Sequence, residues 1–157
     1  MKFVLIAIIS IALCACSTTN VSLPLSDNFE QVIEVPGTSK EDLYSKSNAW
    51  FVETFNSAES VIEFQDKEIG KIMGKHVWGY YDSFGNGFFY RFVVSVEVKE
   101  NRYRLKFYDP TFLNKGVWKP LSNFSPALYR YHLETVGKRW EYLRTTLESR
   151  INENDDW

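Results

Sequence analysis

The chain is short of the side chains that carry thiol, imidazole and metal chemistry. Its 157 residues include two cysteines, Cys14 and Cys16, and two histidines, His76 on a predicted strand and His132 on a predicted helix flank. The histidines have no metal-ligand spacing, and no hydrolase, metalloprotease or phosphate-loop motif occurs. A formal net charge of −2 provides no basic excess for nucleic acid. We therefore expect no cofactor, no metal site and no nucleic-acid partner.

The chain also lacks a hydrophobic run of the length that spans a bilayer, which is about 20 residues in a helix. The apolar run at 3–15 follows Lys2 and ends in small side chains, a pattern typical of export signals. The tetrapeptide LCAC at 13–16 resembles the lipobox of bacterial lipoproteins. This resemblance implies that residues 1–15 are a signal peptide and that Cys16 carries diacylglycerol and an amide-linked fatty acid such as palmitate. The alternatives are an ordinary signal peptide or an uncleaved N-terminal helix.

The residues after the lipobox predict a tether and a location. Residues 16–28 are polar and show no clear period, so we interpret them as a lipidated tether to a domain at 29–152. Ser17 differs from the aspartate that retains many lipoproteins of two-membrane bacteria at the inner membrane. The predicted location is the bacterial cell envelope, with the periplasmic face of the outer membrane favoured. Removal of Cys14 and acylation of Cys16 would leave no free thiol.

Alternating and helical periodicities predict a single α+β domain at residues 29–152. The predicted order is β-α-β-β-β-β-α, in which hairpins dominate. We therefore expect a mostly antiparallel five-stranded sheet with both helices on one face, the long C-terminal helix packed along it. Residues 153–157 are predicted to be a frayed tail.

Helix-capping residues predict where the two helices begin. Thr38 or Ser39 is expected to cap the first helix, with an acidic residue three positions later. Ser125, followed by proline, is expected to start the second helix, which runs to about Asn152. Gly137 lies inside this helix and is expected to mark a close crossing.

One hairpin is predicted residue by residue. If a two-residue loop lies at 100–101, positions whose numbers sum to 201 face each other. Val96 then meets Leu105 on one face, and Glu97 meets Arg104 on the other. A slip of one residue would destroy both matches, so the pattern predicts this register strongly.

Several short pieces of residues 32–75 carry a family resemblance. The pieces are Val35-Pro36-Gly37 with Ser39, Leu43-Tyr44, Trp50-Phe51, Phe55, Asp66-Lys67-Glu68 and Gly70-Lys71-Ile72-Met73-Gly74. They resemble a family common in bacterial envelope lipoproteins, a domain of unknown function with a TATA-binding-protein-like (TBP-like) fold. The predicted element order extends the resemblance to the rest of the chain. The resemblance implies this fold and implies no catalytic or binding residue.

The predicted hairpin supplies the first set of candidate binding residues. Four basic side chains are expected on its polar side: Arg91, Arg102, Arg104 and Lys106. Such a face suits an anionic ligand, for example a lipid headgroup, a polysaccharide or an acidic protein segment. The alternative is a solvated sheet face on which Glu97 pairs with Arg104.

A segment at 109–124 supplies the second set. It is predicted to be irregular, and irregular loops of this length are often functional. Its expected exposed side chains are Phe112, Lys115, Trp118 and Lys119. The alternative is a structural loop whose Trp118 closes the end of the core.

These features favour a lipid-anchored, non-enzymatic envelope module that binds an envelope protein or an anionic envelope ligand. One alternative is an enzyme that acts on cell-envelope material, which would need a cleft with converging polar groups and a shifted pKa. Another is a carrier of a small apolar ligand in a cavity between the sheet and the long helix.

Overall fold

The computed structural model describes residues 27–55 and 61–153 as one α+β unit. The predictions for residues 1–26 and 154–157, including the signal peptide, Cys16 and most of the tether, lie outside these residues. The elements are β1 Phe29–Glu34, α1 Lys40–Thr54, β2 Val61–Asp66, β3 Lys71–Tyr81, β4 Gly87–Lys99, β5 Arg102–Asn114, β6 Val117–Pro120, a 3₁₀ turn Leu121–Asn123 and α2 Pro126–Asn152.

The sheet is antiparallel throughout, with strand order β1-β5-β4-β3-β2. Strand β6 pairs with β5 as well, further along the same edge that β1 occupies. The predicted fold class, element order and mostly antiparallel sheet are confirmed, and the structure adds a sixth strand to the five that were predicted.

The β4–β5 hairpin has the predicted register. Val96 pairs with Leu105 and Glu97 with Arg104, so the numbers of paired residues sum to 201 from Lys99 back to Val93. Beyond Val93 a bulge adds one residue to β5, where Asp109 has a φ of 53°. Bulges of this kind bend a strand without ending it.

The prediction of an irregular 109–124 segment is wrong. After the bulge β5 continues to Asn114, and Lys115 and Gly116, both with positive φ, form a two-residue hairpin loop. Strand β6 then returns along β5. Positive φ at both loop positions matches the twist of the adjoining strands, which is why two residues are enough to connect them.

Helix α1 begins where its capping residue predicts. The Ser39 hydroxyl accepts a hydrogen bond from the Asp42 backbone N–H at 3.1 Å, so Ser39 rather than Thr38 is the N-cap. The helix buries Leu43, Trp50 and Phe51 against the sheet.

Helix α2 is tied to α1 at its C-terminal end. The Trp50 indole donates to the Thr146 hydroxyl at 3.0 Å. The Lys46 ammonium donates to the backbone oxygens of Ile151, at 3.0 Å, and Glu153, at 2.8 Å. A cation here gives hydrogen bonds to carbonyl oxygens that have no partner within the helix, and its charge complements the helix dipole. Both helices therefore lie on one face of the sheet, as predicted.

The core lies between this helical layer and the inner face of the sheet. Phe29 of β1 stacks on Trp140 of α2 at 5.7 Å between ring centroids. A Cβ at Gly137 would lie 3.9 Å from the Phe29 ring, an ordinary contact distance. The expectation that Gly137 marks a close crossing is therefore wrong.

Candidate functional site

The outer face of the sheet is the face turned away from both helices, and half of it is a network of compensated charges. Arg104 pairs with Glu97 and, at 3.4 Å, with Glu30. Lys71 reaches Glu97 at 3.4 Å and Lys106 reaches Glu30 at 3.5 Å. Burial opposes ionisation of Glu97, but the hydrogen bond from Arg104 and the nearby positive charges outweigh it and lower the pKa of Glu97. Each cation of this network thus has a carboxylate partner, as in the solvated-face alternative.

The other half of the outer face is a depression of about 640 Å³, here called the outer depression. The Arg91 guanidinium lies over the Trp118 ring, 4.8 Å from its centroid. A Lys75–Glu63 ion pair of 2.5 Å borders the depression. The apolar part of its lining comprises Val61, Val77, Phe89, Leu113 and Trp118.

The predicted candidate residues do not form one surface. Arg91 and Trp118 meet in the outer depression, whereas Arg102 and Arg104 lie at the hairpin end of the sheet. Lys115 is exposed in the β5–β6 turn. Lys119 pairs in register with Phe112, so it points to the face opposite Trp118.

Two expectations about single side chains are wrong. Phe112 is half-buried and packs in the inner layer, with its ring centroid 4.4 Å from that of His132. His132 is not a helix-flank residue, because it is buried and its Nδ1 is hydrogen-bonded to the Tyr90 hydroxyl at 2.9 Å. Burial lowers the pKa of His132.

A second concave surface lies between β3 and α2 on the inner side, where the carrier alternative expected a cavity. This sheet–helix groove has a volume of about 480 Å³. Aromatic rings line it from both elements: Trp78, Tyr80, Tyr131 and Tyr142. The Tyr80 and Tyr131 hydroxyls are hydrogen-bonded at 3.0 Å, which joins the two walls. The groove is open rather than enclosed, and it is not purely apolar because Arg139 lines it.

Arg139 is held by three neighbours. It donates a hydrogen bond from Nη2 to His76 Nε2 at 2.9 Å, and its guanidinium lies 5.5 Å from the Trp78 ring centroid and 4.5 Å from that of Tyr142. Burial lowers the pKa of Arg139. Burial, and secondarily the charge of Arg139, lowers the pKa of His76 to about 4, so His76 is a neutral acceptor at physiological pH.

The signal for this groove in the sequence is weak. Trp78 and Tyr80 share the face of β3 that also carries His76, and Tyr131 and Tyr142 form a stripe beside the core stripe of α2. These patterns are equally typical of ordinary core residues. Only the packing of the helices reveals that this part of the sheet is left open.

Two features are absent from the part of the chain that the structure describes. Within residues 27–55 and 61–153, no three His, Cys, Asp or Glu side chains are grouped as a metal ion would require. Over the same residues no helix combines the length and the apolar character needed to cross a membrane.

The comparisons with known proteins identify the family. The family "Domain of unknown function (DUF4468) with TBP-like fold" matches residues 29–112, which is more than half of the chain. The chain belongs to the DUF4468 family. This match confirms the resemblance carried by residues 32–75 and extends it through β5 to Phe112. No curated protein matches the chain.

Solved structures support the same fold for this DUF4468 protein. A DUF4468 family protein from Bacteroides ovatus is similar with a TM-score of 0.65 and 12% identity, over 86% of this chain and 91% of that one. A TBP-like protein from Parabacteroides distasonis is similar with a TM-score of 0.68 and 15% identity, over 82% of this chain and 94% of that one. At these identities the likeness establishes the fold alone.

Proposed function

We propose that this DUF4468 protein is a lipid-anchored envelope protein that binds another envelope protein through the outer depression. The observation that carries the proposal is the stack of Arg91 on Trp118 in an apolar depression on the sheet face that no described helix covers. The anchor in this proposal rests on the lipobox-like residues 13–16 and on the polar residues that follow them.

The composition of the outer depression favours a protein partner. Tryptophan and arginine are the side chains most often found at the energetic centre of protein interfaces, with charged groups at the rim. Here Trp118 and Arg91 line the depression together with apolar side chains and the Lys75–Glu63 pair. Val61, which is 54% exposed, adds apolar area that contact with a partner would bury.

An anionic ligand at the hairpin end is the weaker alternative. Three of the cations of that half, Lys71, Arg104 and Lys106, are already paired with Glu97 and Glu30, whereas the exposed Arg102 lies outside these pairs. An anion would have to displace these carboxylates, and exchanging one carboxylate for another yields little net attraction.

An enzyme acting on envelope material is also less well supported. The sheet–helix groove contains side chains with shifted pKa values, but each shift moves the pKa further from neutral pH. The pKa of His76 falls to about 4, and burial with the Tyr131 hydrogen bond raises the pKa of Tyr80 to about 12. A general acid or base works best with a pKa near the operating pH, and these two groups do not meet that requirement.

Site-specific photo-crosslinking in cells tests the proposal. A photoreactive residue at Leu113, in the lining of the outer depression, should yield a discrete adduct with another envelope protein, recovered in the membrane fraction. Trp118→Ala should lower the adduct yield at least about tenfold, because truncating an interface tryptophan commonly costs about 2 kcal/mol or more.

The matched control is Phe84→Ala, which removes another aromatic side chain that is 89% exposed and lies outside the depression. It should leave the adduct unchanged. Equal yields from the Trp118 variant and the wild type, or no adduct at all, would contradict the proposal. Loss of the adduct in Arg104→Gln but not in Trp118→Ala would favour the anionic-ligand alternative.

A further inference from the structure

Arg139 is a half-buried cation that has no carboxylate partner among the described residues, unlike Lys46 and Arg144. Lys46 pairs with Asp42 at 3.7 Å, and Arg144 pairs with Glu148 at 2.9 Å. Arg139 contacts His76 and two aromatic rings, and its Nε is buried with no hydrogen-bond partner. Removing a cation from water without a counter-ion is costly, so the folded protein holds a positive charge that an anion would stabilise.

The surroundings of Arg139 suit one kind of anion. The groove in which it lies is walled by Trp78 and Tyr80 from β3 and by Tyr131 and Tyr142 from α2. Its volume of about 480 Å³ is within the range of small-molecule sites. Flat aromatic walls accept a flat apolar body, and a planar guanidinium fork matches a carboxylate.

We propose that the sheet–helix groove binds a small amphiphilic carboxylate, with its apolar body against Trp78 and Tyr80 and its carboxylate on Arg139. Lys138, also on the groove wall, adds a second positive charge at the rim. The site lies on the inner side of the sheet, so it is separate from the outer depression and does not depend on the function proposed there.

His76 contributes to this site as a positioning residue. Its ring packs between Phe55 of α1 and Phe92 of β4, at centroid distances of 5.0 and 5.3 Å. As a neutral acceptor it fixes one nitrogen of Arg139 without neutralising the guanidinium. A carboxylate in the position of His76 would have satisfied Arg139 within the protein and left no charge for a ligand.

Calorimetric titration of the full chain in lipid nanodiscs tests the proposal with a matched pair of probes, 2-naphthoate and the uncharged 2-naphthamide. The two probes share a flat body and differ in charge. We expect 2-naphthoate to bind at least about tenfold more tightly, because hydrogen bonds to charged groups contribute more than neutral ones. Arg139→Gln should abolish this difference in affinity, and Trp78→Leu should lower the affinity for both probes by the same factor.

Arg91→Gln is the matched control, since Arg91 is also stacked on a tryptophan but lies on the outer face. It should leave both affinities unchanged. The proposal is overturned if the wild type binds the two probes equally or binds neither. It is also overturned if Arg91→Gln weakens 2-naphthoate as much as Arg139→Gln does. Should Arg139→Gln fail to fold, the charge preference of the wild type and the effect of Trp78→Leu still decide the question.

Discussion

At the scale of single residues, burial converts His76 from a titratable side chain into a fixed hydrogen-bond acceptor. The ring is 4% exposed, and the groups that face it include Phe55, Phe92 and Arg139. None of these favours a protonated imidazole, and Arg139 repels it. This explains why the pKa of His76 falls from 6.5 to about 4.

The lowered pKa of His76 makes folding stability depend on pH. Above pH 6.5 the histidine is neutral in both states and the stability is fully present. Between pH 6.5 and about 4 the unfolded chain binds a proton that the folded chain rejects, so the free energy of unfolding falls as the pH is lowered. We expect a loss of about 3 kcal/mol across this window, measured by urea unfolding at several pH values.

His76→Gln is the informative variant, because glutamine can still accept from Arg139 but does not titrate. Its unfolding free energy should vary much less across the same pH window. The pH dependence that remains includes the contributions of His132, whose pKa burial lowers, and of Glu97, whose pKa its cationic partners lower. If the unfolding free energy of His76→Gln varies with pH as much as that of the wild type, another group causes the pH dependence.

At the scale of elements, Gly137 lowers the stability of α2, and the packing around it does not require a glycine. A Cβ there would meet Phe29 at 3.9 Å, which is van der Waals contact without overlap. Glycine inside a helix costs about 1 kcal/mol relative to alanine. We therefore expect Gly137→Ala to raise the free energy of unfolding by about 1 kcal/mol, measured by urea denaturation.

Gly74→Ala makes the same chemical change in β3 and should have the opposite effect. A Cβ at Gly74 would lie 2.8 Å from the Val61 carbonyl oxygen and 2.9 Å from the Phe55 ring, so β2 or α1 must move. Overpacking of this kind costs about 1–3 kcal/mol. A stabilised Gly74 variant, or a destabilised Gly137 variant, would contradict these packing arguments.

The elements also separate what sequence pattern predicts from what it misses. The β4–β5 register was predictable because apolar residues alternate without interruption from Val98 to Val94 and from Tyr103 to Phe107. The end of β5 was missed because the bulge at Asp109 breaks the period of two. Past the bulge the adjacent apolar residues Phe112 and Leu113 give no alternation, but the Lys-Gly turn at 115–116 followed by β6 could have been recognised.

At the scale of the whole molecule, the proposed anchor is testable through Cys16. In cells supplied with labelled palmitate, the wild-type chain should incorporate label and partition into detergent. Cys16→Ser should incorporate none, because the thioether and the following acylation both need that cysteine.

Cys14→Ser is the matched control for the anchor, because serine is a small residue and is common at that lipobox position. It should be labelled like the wild type. A wild-type chain without label, or equal labelling of the Cys16 and wild-type chains, would rule out the anchor.

The whole-molecule arrangement also decides where the contacts of the domain begin. The Tyr129 hydroxyl of α2 contacts Asp27, which the sequence pattern had assigned to the tether. The ordered contacts of the domain therefore begin at least two residues before β1. A polar residue in a segment without periodicity gives no sign that it will meet a tyrosine 102 positions later.

Local pattern was sufficient for the fold class, the helix starts and the hairpin register, and the envelope location proposed from it stays a prediction. Each depends on neighbours within a few residues or on a repeating period. Packing alone decided which sheet face stays open, that Arg91 meets Trp118, and that Arg139 meets His76, 63 positions away, rather than a carboxylate. Such contacts depend on where distant elements cross, and no local period specifies that.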